Sequence, residues 1–363
     1  MLAGMSPITL CGKAHFMIRQ MVFVLLLGLT SLGAAAQQLF VNGQTGDDAA
    51  LGTRAQPLKT IREAARRVSV DTTKGPTTII LSAGVYPLTE TILFDNDKYS
   101  RENRLVLRAE VMPDETGWTP GKMPVVMTVA PMKPGVGGEE ARGMQFELSH
   151  VTVEGLRFSG SPDYSYIDGQ NIRRSYPIWR DGKDLDDLLI TQCLFAGDPD
   201  VLPLHLGVIA NGQGLVIDHC VFFHCKNSVV FWKANGGSRH NAMRFCLVYG
   251  DSFSGVWTTQ STSGDDFEFH HNVIAHCRTA WIRENGSTRH YMAHDCLFAG
   301  NNDLTGYGSG PAGGGGPTST DFLKMNNVRL QGEVRIEMDQ SRRNYLQLAE
   351  GSDGVELKAG LFK

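Results

Sequence analysis

Two dipeptides rich in Arg and His, Arg239-His240 and Arg289-His290, flank an acidic one, Asp265-Asp266, at steps of 26 and 24 residues. Read as rows, they give Arg, Asp, Arg beside His, Asp, His. Arginine forks match carboxylates and related oxyanions, while His or Asp can exchange protons with a bound substrate. Those residue types suit a site that holds an acidic sugar and moves a proton. The same rows also read as salt bridges that merely align turns, and exposed pairs of that kind contribute little. A second row holds Asp218, Arg244, His270 and His294, with Glu268 beside it. Its residue types could ligate a metal, but there is no compact ligand motif, and a solvated strand face shows the same alternation. The third row is aromatic: Trp232, Trp257 and Trp281, with Lys233, Arg283 and Glu284 adjacent and Trp179-Arg180-Asp181 as an earlier member. Outward indoles would stack on sugar rings, and inward ones would fill a core. Hydrolysis would need two carboxylates, such as Asp266 and Glu284, on either side of the scissile bond.

These rows exist only if the chain repeats. Segments 188–195, 215–222, 241–248, 267–274 and 291–298 superpose without gaps, at intervals of 27, 26, 26 and 24 residues. Each alternates apolar and polar residues, which is strand periodicity, up to a sixth position held by Cys193, Cys220, Cys246, Asn272 and Cys296. Segment 151–158 is a degenerate earlier copy. So short a unit cannot bury its apolar face alone, and copies must stack as in a solenoid. The sixth position then becomes an inward ladder of free thiols and one amide. Cys225 and Cys277 share another column, two coils apart with Asp251 between them, too far to bridge. Upstream, Ile61, Ala64, Ala65 and Val68 share one face of a helix that would cap the stack, followed by strand-like runs at 77–81, 104–107 and 125–129. After Gly300 the repeat fades, 306–316 reads as a glycine-rich loop, and 334–338 reads as one more strand in the tail.

The amino terminus reads as a secretory signal peptide: Lys13 and Arg19, an apolar run at 22–29, then Ala34-Ala35-Ala36. That run is too short to span a bilayer as a permanent helix, and none like it follows. Residues 1–36 carry two basic and no acidic groups, so the remainder has 32 basic and 38 acidic residues, a formal charge of −6. Nucleic acid is an unsuitable partner for such a surface. The expected organisation is a signal peptide at 1–36, an amino-terminal cap at 37–76, a solenoid at 77–304, the glycine-rich loop at 305–321 and a carboxy-terminal cap at 322–363.

Several short motifs carry a family likeness: Val41-Asn-Gly-Gln-Thr-Gly-Asp47, Gly52-Thr53, Pro57-Leu58, Thr60-Ile61, Ala64 and Gly84-Val-Tyr-Pro87. In order and spacing they resemble the opening of the pectate-lyase-like right-handed parallel β-helix superfamily, and with the repeats the likeness spans roughly residues 38 to 300. The resemblance implies an all-β solenoid, a right-handed parallel β-helix with a short amino-terminal capping helix, and a carbohydrate groove along one of its three sheets. That superfamily holds polysaccharide lyases, glycoside hydrolases, epimerases and non-catalytic surface proteins. Gly264-Asp265-Asp266 is similar to the acidic pair of polygalacturonase-type hydrolases, but the accompanying Gly-His-Gly and Arg-Ile-Lys elements are absent, as is the Arg-x-Pro-x-x-Arg element of pectate lyases.

The expectation is a secreted, monomeric, carbohydrate-active enzyme acting on a polysaccharide or oligosaccharide by elimination or hydrolysis. Its catalytic candidates are His240, Asp265, Asp266, His290, Arg283 and Glu284. Its substrate-binding candidates are Trp232, Lys233, Arg239, Trp257, Trp281 and Arg289. No cofactor is demanded, although calcium would suit a lyase. The alternative is a secreted or surface glycan-binding protein without turnover.

Overall fold

The computed structural model describes Met1 and residues 36–135, 138–161, 173–198, 200–308 and 319–363. The expected signal peptide, apart from Met1 and Ala36, and most of the glycine-rich loop lie outside the described residues. Ala36–Lys363 forms one compact unit.

The repeat intervals reappear as strand register. Leu188 pairs with Leu215, Val216 with Ala242, Ala242 with Glu268 and His270 with His294, all in parallel, which reproduces the steps of 27, 26, 26 and 24 residues. Each coil contributes a strand before the ladder position, a short strand after it and a longer strand that closes the turn, as in Leu215–Asp218, Val221–Phe223 and Cys225–Phe231. The first two kinds merge in the continuous strand Tyr291–Ala299. Among the described residues they form one folded seventeen-stranded sheet, sheet A, while the third kind forms a nine-stranded sheet, sheet B. The chain is a parallel β-helix.

The coil turns at positions of left-handed backbone. Gln192, His219, Phe245, His271 and Asp295, just before the ladder, have φ between 49° and 54°. Two further corners hold His224 and His276, and His150, Asp187 and His240, with φ from 49° to 63°. Histidine tolerates this region better than β-branched residues do. Six of the chain's eleven histidines are therefore corner residues: His150, His219, His224, His240, His271 and His276.

The ladder is as the repeats predict. The Asn272 amide oxygen accepts the Cys246 N–H (2.9 Å), and its amide nitrogen donates to the Met243 carbonyl (2.7 Å). The six cysteines of the described residues are free and buried. Burial pushes the thiols of Cys193, Cys225, Cys246 and Cys277 well above the ordinary value. In the second column Asp251 accepts the Cys225 N–H (3.1 Å), and Asn301 does the same for Cys277 (2.9 Å). Phe158, Phe195 and Phe222 stack along the axis with centroids 4.8 and 4.6 Å apart, the rung spacing of a sheet.

At the amino end, helix Ile61–Val70 is capped by Thr60 and buries Ile61, Ala64, Ala65 and Val68, the face read from the sequence. The stack begins earlier than expected, because Gln37–Val41 already pairs with Thr77–Leu81 inside the segment assigned to the cap. The tail needs a correction. Segment 334–338 is no strand and makes only the isolated bridge of Ile336 to Leu348, while Leu323–Arg329 supplies the last rung on Tyr291–Ala299. The alternation misread there has another cause: Val334 and Ile336 dock with Tyr345, Leu346 and Leu361 on the outer side of sheet A. Among the described residues no helix is long and apolar enough to cross a membrane.

Candidate functional site

The acidic and His rows meet on the outside of sheet A. His240, Asp265 and Asp266 line one open hollow of about 480 Å³ with Arg244, Glu268 and His294. Its charged groups are mostly spent on each other. Asp266 Oδ2 accepts the backbone N–H of His240 (3.0 Å) and lies 3.2 Å from its Nδ1. Arg244 bridges coils by donating to Asp218 (3.0 Å) and Glu268 (2.7 Å), and His294 Nδ1 lies 2.8 Å from Asp295. Burial pushes the Asp218 carboxyl up, but hydrogen bonds from His219 and Arg244 outweigh it and hold the group at about 2. The expected Arg-Asp-Arg bridge does not form: among the described residues no ion pair joins Arg239 or Arg289 to Asp265. Arg289 donates to the Gln260 carbonyl instead (3.3 Å), and His290 lies 3.2 Å from the Asp321 carbonyl.

Glu284 is not brought to this hollow. It accepts the Gln260 N–H (2.8 Å) and, with Lys183, Lys233 and Asn235, lines a separate hollow of about 280 Å³. Arg283 is partly buried, donating to the Ser287 carbonyl (2.9 Å) with its guanidinium over Phe322. The Asp266 and Glu284 pair therefore does not flank a common space.

The tryptophan row is likewise corrected. Register sets Trp257 opposite Val230 and Ile282, and Trp281 opposite Val256, so the three indoles occupy different columns. The cause is turn length. Val230 to Trp257 is a step of 27 and Val256 to Trp281 a step of 25, which the 25- and 24-residue steps between the tryptophans do not match. Trp281 faces the core and donates to Thr258 (3.1 Å), and all three side chains are buried. They form no exposed stacking platform.

Sheet B has a different outward face. Alternation sends Ile178, Val208, Val229, Val256 and Trp281 inward, and Trp179, Ile209, Val230, Trp257 and Ile282 outward as one file. Tyr176 and Leu206 lie beside that file. Buried polar atoms here have no hydrogen-bond partner among the described residues: Tyr176 OH, Trp179 Nε1, both ring nitrogens of His205, Asn211 Oδ1 and Trp257 Nε1. Native proteins pair nearly all such atoms, and a cluster of exceptions asks for an explanation. At one edge the Arg142 guanidinium sits 3.9 Å from the Trp179 ring centre, holding Glu140 on one side (2.8 Å) and Asp181 on another (2.9 Å). Asp181 also accepts from the Asn211 amide (3.1 Å), and its side chain is 39% exposed.

Of this group only Trp179, Asp181 and Trp257 stood out in the sequence, and strand alternation separates the first two from Arg180. That arginine turns inward, donates to the Asn211 and Gln213 carbonyls (2.6 and 2.5 Å) and is pulled down to about 10 by burial. Arg142, Tyr176, His205 and Asn211 were missed. Arg142 and Tyr176 lie outside the aligned repeats, and an unpaired buried atom has no signature in a one-dimensional string. Among the described residues no group of three or more His, Cys, Asp or Glu side chains is arranged to hold a metal ion.

No family model matches the chain, and no curated protein is similar in sequence. Among solved structures, a GH136 lacto-N-biosidase from Eubacterium ramulus aligns over 87% of this chain and 70% of its own, with 10% identity and a TM-score of 0.50. A rhamnogalacturonan lyase aligns over 90% of this chain and all of its own at 9% identity and a TM-score of 0.37. A mannuronic acid specific family 6 polysaccharide lyase from human gut microbiota gives 85%, 84%, 11% and 0.28 for the same quantities. At such identity the first of these speaks to the fold alone.

Proposed function

We propose that the chain is a secreted carbohydrate-active enzyme that binds a glycan at the exposed Asp181 edge of sheet B and hydrolyses it with Asp181 as the proton-transferring carboxylate. The observation that carries this reading is the exposed Asp181 carboxyl, held by Arg142 and the Asn211 amide beside the Trp179 ring. Arg142 sets Asp181 and Glu140 around one guanidinium, so two carboxyl groups converge near the Trp179 ring. Asp181, the exposed one, can reach substrate, whereas buried Glu140 holds Arg142 in place. A solved structure of similar fold is a glycoside hydrolase, and the signal-like amino terminus supports export.

The test is a panel of oligo- and polysaccharides, read for new reducing ends and for unsaturated products. Asp181→Asn should lose at least about 100-fold in turnover, as expected for an acid–base group, with the melting temperature nearly unchanged. Unaltered turnover in that variant overturns the assignment, and unsaturated products would replace hydrolysis by elimination. Binding without any product, lost in Trp179→Ala, would establish the non-catalytic glycan-binding alternative.

A further inference from the structure

Four asparagines of this chain precede a glycine: Asn42, Asn211, Asn235 and Asn285. Such a pair can modify itself, because a glycine has no side chain to hinder the approach of its backbone nitrogen to the asparagine Cγ. The reaction needs a Gly N–H free to lose its proton, an Asn amide free to turn towards it, and room for the ring that forms. Two of the four pairs lack the first. The Gly43 N–H donates to the Tyr86 hydroxyl (3.4 Å), and the Gly212 N–H to the Lys233 carbonyl (2.9 Å). Their amides are held as well: Asn42 Oδ1 accepts from Gln44 and Thr45 (3.0 Å each), and the buried Asn211 donates to Asp181 (3.1 Å).

Asn235 and Asn285 lie on exposed turns just beyond Cys225–Phe231 and Thr279–Glu284, two rungs apart in sheet B. Among the described residues the N–H of neither following glycine is engaged. Room is available at both: a Cβ on Gly236 would meet nothing within 4 Å, and one on Gly286 would meet only the Gln260 amide, at 3.5 Å. The Asn235 amide, however, donates to Asp184 (2.9 Å), whereas among the described residues the Asn285 amide makes no hydrogen bond. Asn285 alone meets every condition.

We infer that Asn285-Gly286 is a self-modification site, at which the side-chain amide is exchanged for a carboxylate with water as the only co-reactant. The Gly286 nitrogen gives up its proton and bonds to Asn285 Cγ; the Cγ–Nδ2 bond breaks, and the amide nitrogen leaves with that proton as ammonia. Water then opens the imide ring at either carbonyl, leaving aspartate or an isoaspartate whose main chain is longer by one carbon. That extra carbon falls where the Asn285 N–H donates to the Gly308 carbonyl (2.8 Å) and the Asn285 carbonyl accepts from the Gln260 amide (2.9 Å). Gly308 in turn packs on Trp257, so closely that a Cβ there would stand 2.6 Å from the ring. The isoaspartate form therefore loosens strand Asp303–Gly308, the last rung of sheet B.

The experiment is peptide mapping by mass spectrometry on the full chain aged at mildly alkaline pH, both folded and in urea. Conversion reads as a mass gain of about 1 Da, and backbone fragmentation separates isoaspartate from aspartate. In urea the four sites should react at comparable rates. In the folded chain Asn285 should keep its urea rate to within about threefold, while the other three fall at least about fivefold below theirs, the factor for one hydrogen bond. Asn285→Gln should remove the modified peptide. Protection of Asn285 equal to that of Asn235, or first conversion at Asn42 or Asn211, overturns the assignment. Hydrogen exchange at Asp303–Gly308 should quicken in the aged chain but not in freshly purified Asn285→Asp, which carries the charge without the longer main chain. Unchanged exchange in the converted chain overturns the loosening of the last rung.

Discussion

The solenoid's two outward faces treat most of their polar groups differently, although Trp118 Nε1, Arg157 Nε and Asp266 Oδ1 on the sheet A side are also buried without a hydrogen-bond partner among the described residues. On sheet A the row Asp218, Arg244, Glu268 and the pairs His240 with Asp266 and His294 with Asp295 join one coil to the next or brace a corner. On sheet B, Tyr176, Trp179, His205, Asn211 and Trp257 are buried with polar atoms that have no hydrogen-bond partner among the described residues. Charge density is thus a poor guide to the site in a repeat protein. Stacking coils in register sets like positions about 4.8 Å apart, close enough for any Arg and Asp in neighbouring coils to pair. Conspicuous rows of charge are what such a wall needs to stay aligned. The informative feature is a polar group that the wall leaves unused.

If sheet A's face is bracing, its variants should cost stability and not activity. The largest effect is expected from Arg244→Ala, which leaves Asp218, a side chain only 12% exposed, with His219, Thr191 and the more distant Lys363 as its remaining partners. Loss of a charged hydrogen bond to so enclosed a carboxylate costs about 2–3 kcal/mol, read by urea unfolding at pH 7, while turnover per folded molecule stays within about twofold. A collapse of turnover at unchanged stability would place chemistry on the wrong face. Acid should come next. The Asp218 carboxyl is held at about 2, below its ordinary 3.8, so its contribution is complete above the ordinary value and is lost as pH falls towards 2. That loss should reach about 2 kcal/mol between pH 5 and pH 2. Asp218→Asn should flatten that part of the stability profile, and a variant as acid-labile as the parent would show that other carboxylates carry the effect.

The fold was legible because its determinants are periodic. The steps of 27, 26, 26 and 24 residues became the register of sheet A, and Cys246 and Asn272 became consecutive rungs of an inward ladder. Sheet B was less legible, since the loops before its strands vary in length and shift the columns. Trp257 and Trp281, adjacent in an ungapped reading, consequently point to opposite sides of the sheet. Histidine misled for a different reason. A corner with left-handed φ selects for side chains that tolerate it, so the periodic histidines report backbone geometry at His219, His240 and His271 before they report chemistry. Arg142 and His205 became visible only when strands far apart in sequence were laid side by side.

Asp266 is where the contrast between the faces is thinnest, and it makes the smallest predicted change the most telling. Its Oδ2 is engaged by the His240 backbone, yet its Oδ1 is buried without a partner, as on sheet B. In Asp266→Asn the amide oxygen can keep accepting the His240 N–H, and what disappears is the carboxylate's contact with a mostly exposed ring. Such a pair contributes about 0.5 kcal/mol, so the melting temperature should move by roughly a degree and turnover should stay within twofold. Turnover and melting should be measured together on the same preparation as Asp181→Asn. A hundredfold loss at Asp266 with none at Asp181 would transfer the reaction to the 480 Å³ hollow and leave the aromatic face of sheet B as packing.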